Sequence, residues 1–193
     1  SAEDSFQLSA RNKSIELGIV PIGSGVGSLL KFLAATIDAS NVVEIGTGTG
    51  LSGLWLLKGM NSAGVLTSID KDPERQRASK EIFNSASIPA NRIRLIAGKT
   101  LEIITRLTDN AYDLVFINGD KLEYEILLEE AMRLLRPGGM LIYQNVLNDA
   151  QFQNDPDNLA VQRVLEKIKD EDRLVSVMIP NGTGVIACSY RPN

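Results

Sequence analysis

Histidine is absent from this chain of 193 residues, and cysteine occurs once. Without histidine there is no imidazole for a catalytic triad, a general base or a metal ligand. The single cysteine, Cys188, excludes an internal disulfide framework, and its apolar sequence neighbours predict a buried side chain. Any proton acceptor must therefore be a Lys, Asp, Glu, Tyr or Cys side chain, or the substrate itself.

Long apolar runs, a signal-peptide pattern and basic blocks are also missing. The net charge of −4 argues against a large surface that follows nucleic-acid phosphates. We therefore expect a cytoplasmic protein that binds neither a membrane nor nucleic acid. With 44% hydrophobic residues, the chain is expected to form one domain, 1–193, with residues 1–20 as a polar N-terminal arm.

Short apolar segments alternate with segments of helical spacing along most of the chain. The alternation predicts a doubly wound α/β fold with five parallel strands. Asp72 is expected to cap the second of the intervening helices, with Pro73 at its first position, and Pro137-Gly138-Gly139 to stop the helix at 123–135. A closing hairpin at 174–179 and 185–189 brings the sheet to seven strands, one of them antiparallel. The five parallel strands are expected at 41–45, 65–69, 93–96, 112–117 and 140–144.

The most informative segment is 41–50, which reads N-V-V-E-I-G-T-G-T-G. An apolar strand, a glycine-rich turn and a helix start are the geometry of a nucleotide-type ligand site. Asp70 closes the next strand, where a carboxylate can accept hydrogen bonds from a ribose diol. The alternative is a turn that binds no ligand.

Two adenosine-containing cofactors fit this segment. Gly48, Gly50 and Gly53 satisfy G-x-G-x-x-G, so a dinucleotide remains possible. Glu44 favours S-adenosylmethionine, because a carboxylate there suits the cationic amino group of a methionine moiety. Beside a pyrophosphate the same carboxylate would be repulsive.

Four motifs together resemble the class I S-adenosylmethionine-dependent methyltransferases: V-V-E-I-G-T-G-T-G, S-I-D-K-D-P, Y-D-L-V-F-I-N-G-D-K and L-L-R-P-G-G. Within that class the chain is similar to the small bacterial O-methyltransferases of the catechol and caffeoyl-CoA type, from about residue 8 to the end. The resemblance implies a Rossmann-like sheet, a small-molecule acceptor and a homodimer. It also implies S-adenosylmethionine as methyl donor and S-adenosylhomocysteine as product.

The same resemblance implies which residues bind the cofactor. The methionine end would lie against the first glycine turn, the ribose at the end of the second strand, and the adenine at the end of the third. Thr100 has a second interpretation, as the N-cap of the following helix. The implied residues are Glu44, Gly46, Thr47, Gly48 and Ser52 for the methionine end, Asp70 and Lys71 for the ribose, and Gly98, Lys99 and Thr100 for the adenine.

The chain departs from the family at the divalent metal site. The family uses an Asp after strand four and an Asp-Asn pair after strand five, whereas this chain has Asn118, Gln144 and Asn145. Mg²⁺ and Ca²⁺ need anionic oxygen ligands, and amides supply no charge. We therefore expect no tightly bound divalent metal, although Asp120 and Asp149 are near enough in sequence to substitute.

Catalysis without a metal would depend on Lys121, which aligns with the family's catalytic lysine. In that interpretation Lys121 is the base, and Asn118 and Asn145 orient the acceptor by hydrogen bonds. The alternative for Lys121 is a solvated lysine at a helix start. Phe152, in the polar loop after the fifth strand, is a candidate cover for the acceptor.

Three other functions remain open on the sequence alone. The same fold can methylate RNA or protein, but the acidic balance argues against RNA. A nicotinamide-dependent oxidoreductase would lack the Y-x-x-x-K pair and would have Glu44 poorly placed. A non-catalytic S-adenosylmethionine-binding protein is compatible with the lost metal carboxylates.

Overall fold

The structure is a computed structural model that describes residues 2–147 and 154–192. Within those ranges the chain forms one mixed sheet with helices on both faces, and short 3-10 turns at Ala90–Arg92 and Lys121–Glu123. The strands are β1 (Asn41–Ile45), β2 (Val65–Asp70), β3 (Ile93–Ala97), β4 (Tyr112–Ile117), β5 (Leu135–Gln144), β6 (Leu174–Ile179) and β7 (Val185–Tyr190). The helices are α1 (Ser5–Glu16), α2 (Ser24–Thr36), α3 (Leu51–Gly59), α4 (Pro73–Ser85), α5 (Thr100–Ile104), α6 (Tyr124–Leu134) and α7 (Pro156–Asp170).

The strand order in the sheet is β3-β2-β1-β4-β5-β7-β6. Strand β7 runs antiparallel to β5 and β6, and the other neighbouring pairs are parallel. This confirms the predicted seven-stranded, doubly wound sheet with one antiparallel strand. The order reverses between β1 and β4, and in open α/β sheets ligands bind outside the carboxyl ends of the strands at such a point.

The central strands are apolar on both faces because helices cover both. In β4, Leu114 and Phe116 belong to the core beneath α2 and α3, while Val115 and Ile117 belong to the core beneath α6 and α7. All four side chains are fully buried. Successive strand residues point to opposite faces, so a strand buried on both sides reads as a continuous apolar run.

Most predicted boundaries hold, and the one informative difference lies between α6 and β5. The bounds of β1 and β4 are as predicted, and Asp72 caps α4 by accepting the Glu74 N–H at 2.9 Å. Helix α6 ends at Leu134, however, and the R-P-G-G segment belongs to β5. Leu135 already pairs with Tyr112, and a register shift in this ladder absorbs the proline and glycines before strand pairing resumes.

The polar N-terminal segment forms a packed helix. Asp4 and Gln7 form a reciprocal capping box at the start of α1, a known stabiliser of helix starts. Ala10 and Ser14 are buried, and α1 contacts both α3 and α4. In the described ranges, no helix combines the length and apolar character that a membrane span requires.

Candidate active site

The carboxyl ends of β1, β2 and β4 meet at the reversal of strand order. The Gly46 N–H donates to the Ile69 carbonyl at 2.8 Å, and the Asn118 N–H donates to the Ile45 carbonyl at 2.9 Å. A cavity of about 280 Å³ lies at this edge, and we call it the glycine-loop cavity. Its lining includes the predicted residues Gly46, Asp70, Lys71, Thr100 and Asn118, together with Arg75, Asp120 and Glu123.

Two glycines of the 46–50 loop have different physical roles. Gly46 has φ +92°, and a Cβ added there would lie 2.2 Å from the Asn118 carbonyl oxygen. Gly48 has φ +53°, and an added Cβ would meet no atom within 4 Å. Gly46 is therefore required by the close approach of two chain segments, whereas Gly48 borders open space.

Asp70 joins the two loops that border the cavity. One carboxylate oxygen accepts the Gly48 N–H at 3.0 Å, and the other accepts the Asp72 N–H at 3.0 Å. The residue is buried but lines the cavity. Since a carboxylate offers about four lone-pair positions, these bonds leave Asp70 able to accept a hydroxyl donor from a ligand.

Glu44 lies fully buried beneath the glycine loop. The hydroxyls of Ser52 and Ser68 donate to its two oxygens, the latter at 2.5 Å. Burial raises the pKa of Glu44 to about 7. The carboxylate supports the loop from below and is not among the residues that line the cavity, so its contact with a methionine amino group stays a prediction.

A chain of hydrogen bonds ties this carboxylate to α4. Ser68 gives its proton to Glu44 and therefore accepts from the Thr47 hydroxyl at 2.7 Å. Thr47 in turn accepts from the Gln76 amide at 2.9 Å. The predicted residues Thr47 and Ser52 thus hold the loop and its carboxylate in place.

The N-terminal helix also holds the loop, which the sequence analysis missed. The Thr49 hydroxyl donates to the Ala10 carbonyl at 2.7 Å and lies 2.7 Å from the Ser14 hydroxyl. These partners are 39 and 35 positions away along the chain. No local pattern in the polar arm signals this contact.

The residues predicted to border an adenine are only partly brought together. Thr100 is buried and lines the cavity, but Lys99 is largely exposed and pairs with Glu102 at 3.2 Å. The Gly98 N–H donates to the Asp70 carbonyl at 3.0 Å, which connects β3 to β2. Thr100 as an N-cap is wrong, because it is the first residue of α5 and Lys99 occupies the cap position.

A second cavity, of about 150 Å³, adjoins the first at Asn118, which lines both. We call it the amide cavity, because Asn118, Gln144 and Asn145 line it with Thr183. The Gln144 Nε2 donates to the Thr183 hydroxyl at 2.9 Å, and that hydroxyl donates to the Asn145 Oδ1. The Asn145 Nδ2 donates to the Asn118 Oδ1 at 2.8 Å. The remaining lining includes Val20, Pro21, Ile22, Gly23 and Val26.

This amide cluster does not fit a divalent cation. Its side-chain oxygens are neutral, and hard cations need anionic ligands to offset dehydration. Asp120 lines the glycine-loop cavity and pairs with Lys71 at 3.7 Å. In the ranges that the structure covers, no group of three or more Asp, Glu, His or Cys residues is arranged to hold a metal. Asp149 and Phe152 lie outside the described residues.

Lys121 occupies the 3-10 turn that follows β4. Its neighbours Asp120 and Glu123 line the glycine-loop cavity, but Lys121 lines neither of the two cavities. The structure thus places the predicted base next to the site and leaves its role as a prediction. Gln144 and Thr183 line the amide cavity, and Arg75 and Glu123 line the glycine-loop cavity, although the sequence analysis did not select them for the site. Only Gln144 had a signal, its match to a metal-ligand position.

The strand order and the glycine-lined cavity define a Rossmann-like methyltransferase fold. A sequence model of the family described as O-methyltransferase matches residues 4–191. A protein from Mycobacterium sp. (strain JLS) with the provisional name O-methyltransferase is 42% identical over 193 residues, covering 97% of this chain and 87% of its own length. The chain belongs to the O-methyltransferase family.

Solved structures agree with this assignment. A Corynebacterium glutamicum protein matches with TM-score 0.92 and 28% identity, over 100% of this chain and 93% of its own. The O-methyltransferase TomG from Streptomyces achromogenes, involved in tomaymycin synthesis and solved with S-adenosylmethionine, matches with TM-score 0.90 over 99% of this chain and 92% of its own. At 23% identity, the second match shows the fold alone.

Proposed function

We propose that this protein transfers a methyl group from S-adenosylmethionine to a hydroxyl of a small acceptor, phenolic or similar, without a tightly bound divalent metal. The observation that carries the proposal is the meeting of two cavities at Asn118. One has the glycines and carboxylate expected for a nucleoside, and the other is small and lined by amides. Family membership favours S-adenosylmethionine over a nicotinamide dinucleotide.

The residues of the glycine-loop cavity suit this cofactor. Bound S-adenosylmethionine supplies a methyl group on a positively charged sulfur and leaves as S-adenosylhomocysteine. Asp70 would accept hydrogen bonds from the ribose hydroxyls, and the open space at Gly48 allows backbone and cofactor to approach closely. The acidic residues Asp70, Asp120 and Glu123 outnumber the basic Lys71 and Arg75 in the lining, and this balance favours a cationic ligand.

On the acceptor side, the hydroxyl must lose its proton as its oxygen forms the new bond to carbon. Lys121 would receive that proton at Nζ and pass it to solvent. Asn118 and Asn145 would orient the acceptor, since their amides donate and accept hydrogen bonds without competing charge. Positioning of the acceptor oxygen would then supply most of the rate enhancement.

Isothermal titration calorimetry with S-adenosylhomocysteine tests the cofactor assignment. We expect saturable binding with one cofactor per chain and no binding of NADH. A radiolabelled methyl-transfer assay with a panel of small phenols then tests turnover in metal-free buffer containing EDTA. Binding of NADH in place of S-adenosylhomocysteine would contradict the proposal.

The variant Lys121→Met tests the proposed base. We expect methyl transfer to fall by about a hundredfold or more, within the range for loss of a general base, while affinity for S-adenosylhomocysteine is unchanged. Steady-state kinetics and calorimetry measure the two quantities. The control Lys169→Met changes a lysine at the end of α7 and should leave both as in the wild type. Unchanged turnover in Lys121→Met would remove this lysine from the mechanism.

A second function is favoured by one observation, the neutral amides at positions where the family resemblance implies metal-binding carboxylates. A non-catalytic protein would keep the cofactor cavity and bind S-adenosylmethionine without consuming it. The radiolabel assay separates the two, because only an enzyme transfers the label to an acceptor.

We also propose a homodimer in the cytoplasm. The edge strand β6 exposes Val175 and Val177, at 66% and 55% of their possible area, which suits burial against a second copy. Cys188 is a free, buried thiol, as is common in reducing compartments. Light scattering coupled to size-exclusion chromatography tests the dimer, and a monomeric mass at micromolar concentration would contradict it.

A further inference from the structure

A further cavity, between α4 and the edge strand β3, shares no lining residue with the two cavities of the candidate active site. We call it the edge cavity, and its volume is about 420 Å³. Small-molecule sites are typically clefts of about 300–1,000 Å³ with mostly apolar walls and a few polar groups. The edge cavity has that size and character. Its lining includes Gln76, Arg77, Lys80, Phe83, Ile93 and Leu95.

The pattern of β3 gives the edge cavity its apolar surface. Ile93 and Leu95 alternate with the exposed Arg94, so both point to the face of the sheet that α4 covers. With Ile88 they are half-buried side chains packed against the core that contains Phe83. Because β3 is the edge strand, part of their surface is left for the apolar body of a ligand to cover.

Two cations line the same cavity without an anionic partner. Arg77 and Lys80 are exposed, and neither side chain forms an ion pair or hydrogen bond within residues 2–147 and 154–192. The described lining contains no acidic residue. The acidic residues Glu74 and Glu81 of α4 instead interact electrostatically with Lys13 of α1. Helix α4 therefore presents positive charge to the edge cavity, which is complementary to an anionic ligand.

Two residues of the edge cavity also support the glycine loop. The Gln76 Nε2 donates to the Thr47 hydroxyl at 2.9 Å. The Phe83 ring lies against the start of α3, since a Cβ added at Gly50 would come within 3.0 Å of it. A ligand that packs against Gln76 and Phe83 in this arrangement stabilises the same arrangement of the loop.

We propose that the edge cavity is a regulatory site for a small monoanionic molecule with an apolar chain, of the medium-chain carboxylate type. The carboxylate pairs with Arg77 and Lys80, and the chain covers Phe83, Ile93 and Leu95. A ligand and a cofactor that favour the same loop arrangement raise each other's affinity by the same factor. This coupling rests on the proposed cofactor site, whereas binding of the anion does not.

The first test compares octanoate with octanamide, which have the same chain but differ in the charge of the head group. Isothermal titration calorimetry, with octanoate below its micelle concentration, measures both affinities on the full chain. We expect the wild type to bind octanoate more tightly. The double variant Arg77→Gln and Lys80→Gln should lower the octanoate-to-octanamide affinity ratio by about tenfold, because two exposed ion pairs are lost. Both positions are exposed, so the fold should be unaffected.

The matched control is the double variant Lys31→Gln and Lys169→Gln, which removes the same charge at exposed positions outside the cavity. It should keep the wild-type ratio. Ala90→Trp fills the cavity from the 3-10 turn and should weaken both probes about equally. An unchanged ratio in the Arg77 and Lys80 variant, or no octanoate binding to the wild type, would overturn the proposal. Binding to phosphatidylglycerol vesicles but not to free octanoate would also overturn it, by showing a membrane contact instead.

The second test measures the affinity for S-adenosylhomocysteine with and without saturating octanoate. We expect octanoate to raise this affinity by about fivefold or more, the lower end of typical coupling between two sites. Ala90→Trp should abolish the increase. An unchanged affinity in the wild type would overturn the regulatory role. Failure of S-adenosylhomocysteine to bind under either condition would instead overturn the proposed function, and the head-group comparison would still decide whether the edge cavity binds an anion.

Discussion

The glycine-loop cavity and the amide cavity share Asn118 but differ in their charge. The first has the carboxylate of Asp70 in its lining and that of Glu44 beneath its loop. The second has amides, a hydroxyl and apolar side chains in its described lining. Charge is therefore kept where we propose that a cationic cofactor binds, and it is missing where we propose that the acceptor binds.

The two cavities also differ in what maintains their shape. The first depends on backbone proximity, since Gly46 leaves no room for a side chain against the Asn118 carbonyl. The second depends on a chain of side-chain hydrogen bonds from Gln144 through Thr183 and Asn145. We expect the first to tolerate few substitutions, and the second to change its ligand when its side chains change.

The strongest test of this contrast is Gly46→Ala. A Cβ at 2.2 Å from a backbone oxygen must displace β1 or β4, and φ +92° adds strain. We expect a loss of roughly 4 kcal/mol or more in the free energy of unfolding, together with loss of S-adenosylhomocysteine binding. Urea denaturation and calorimetry measure the two effects.

Gly48→Ala is the matched control, because its Cβ meets no protein atom within 4 Å. We expect its free energy of unfolding to fall by only about 1–2 kcal/mol, because alanine is disfavoured in the left-handed backbone conformation. The added methyl group should also weaken cofactor binding, because it fills the open space beside Gly48. Equal stabilities for the two variants would show that the approach of Gly46 to Asn118 is not what holds the cavity.

The next test adds negative charge to the amide cavity. The double variant Asn118→Asp and Gln144→Asp places two carboxylates beside Asn145. We expect measurable Mg²⁺ or Mn²⁺ binding to appear, because carboxylates supply the charge that amides lack. Calorimetry with each cation compares the variant with the wild type. Micromolar binding of a divalent cation by the wild type would refute the proposed metal independence.

The sequence predicted most of the fold and the glycine-loop cavity because their signals are local. Strand β1, the glycines and Asp70 follow one another in a spacing that reflects a single strand-turn-helix unit. The partners of Asn145 and Thr49 could not be predicted in this way. Thr183 and Ala10 lie 38 and 39 positions from them, so only the folded chain brings them together.

The R-P-G-G segment shows a different limit of sequence reasoning. Proline and glycine were expected to separate α6 from β5, but the structure includes them in β5. Gly138 has φ +81°, and Gly139 lies against the Arg136 carbonyl, where an added Cβ would come within 2.9 Å. Proline and glycine can end a helix, but they can also lie within an irregular strand. The pairing of Leu135 with Tyr112 shows that here they lie within a strand, and this pairing is visible only in the structure.

The last test concerns the buried charge beneath the glycine loop. Burial raises the pKa of Glu44 from an ordinary 4.5 to about 7. Between these values the folded protein keeps a proton that the unfolded chain has lost, so the free energy of unfolding falls as pH rises through this window. We expect the ionisation of Glu44 to lower the free energy of unfolding by up to about 3 kcal/mol, and this decrease to be complete above pH 7.

Glu44→Gln should remove that decrease, because the amide cannot ionise and the serine hydroxyls can still bond to it. Urea denaturation from pH 4.5 to 8 measures how steeply the free energy of unfolding of each variant falls with pH. The control Glu81→Gln changes an exposed residue of α4 and should keep the wild-type dependence on pH. If wild type and Glu44→Gln lose stability equally over this range, Glu44 is already ionised at the lower pH. The buried carboxylate would then be as well stabilised as one in water. Keeping a charge beneath the glycine loop would in that case cost the folded protein no free energy.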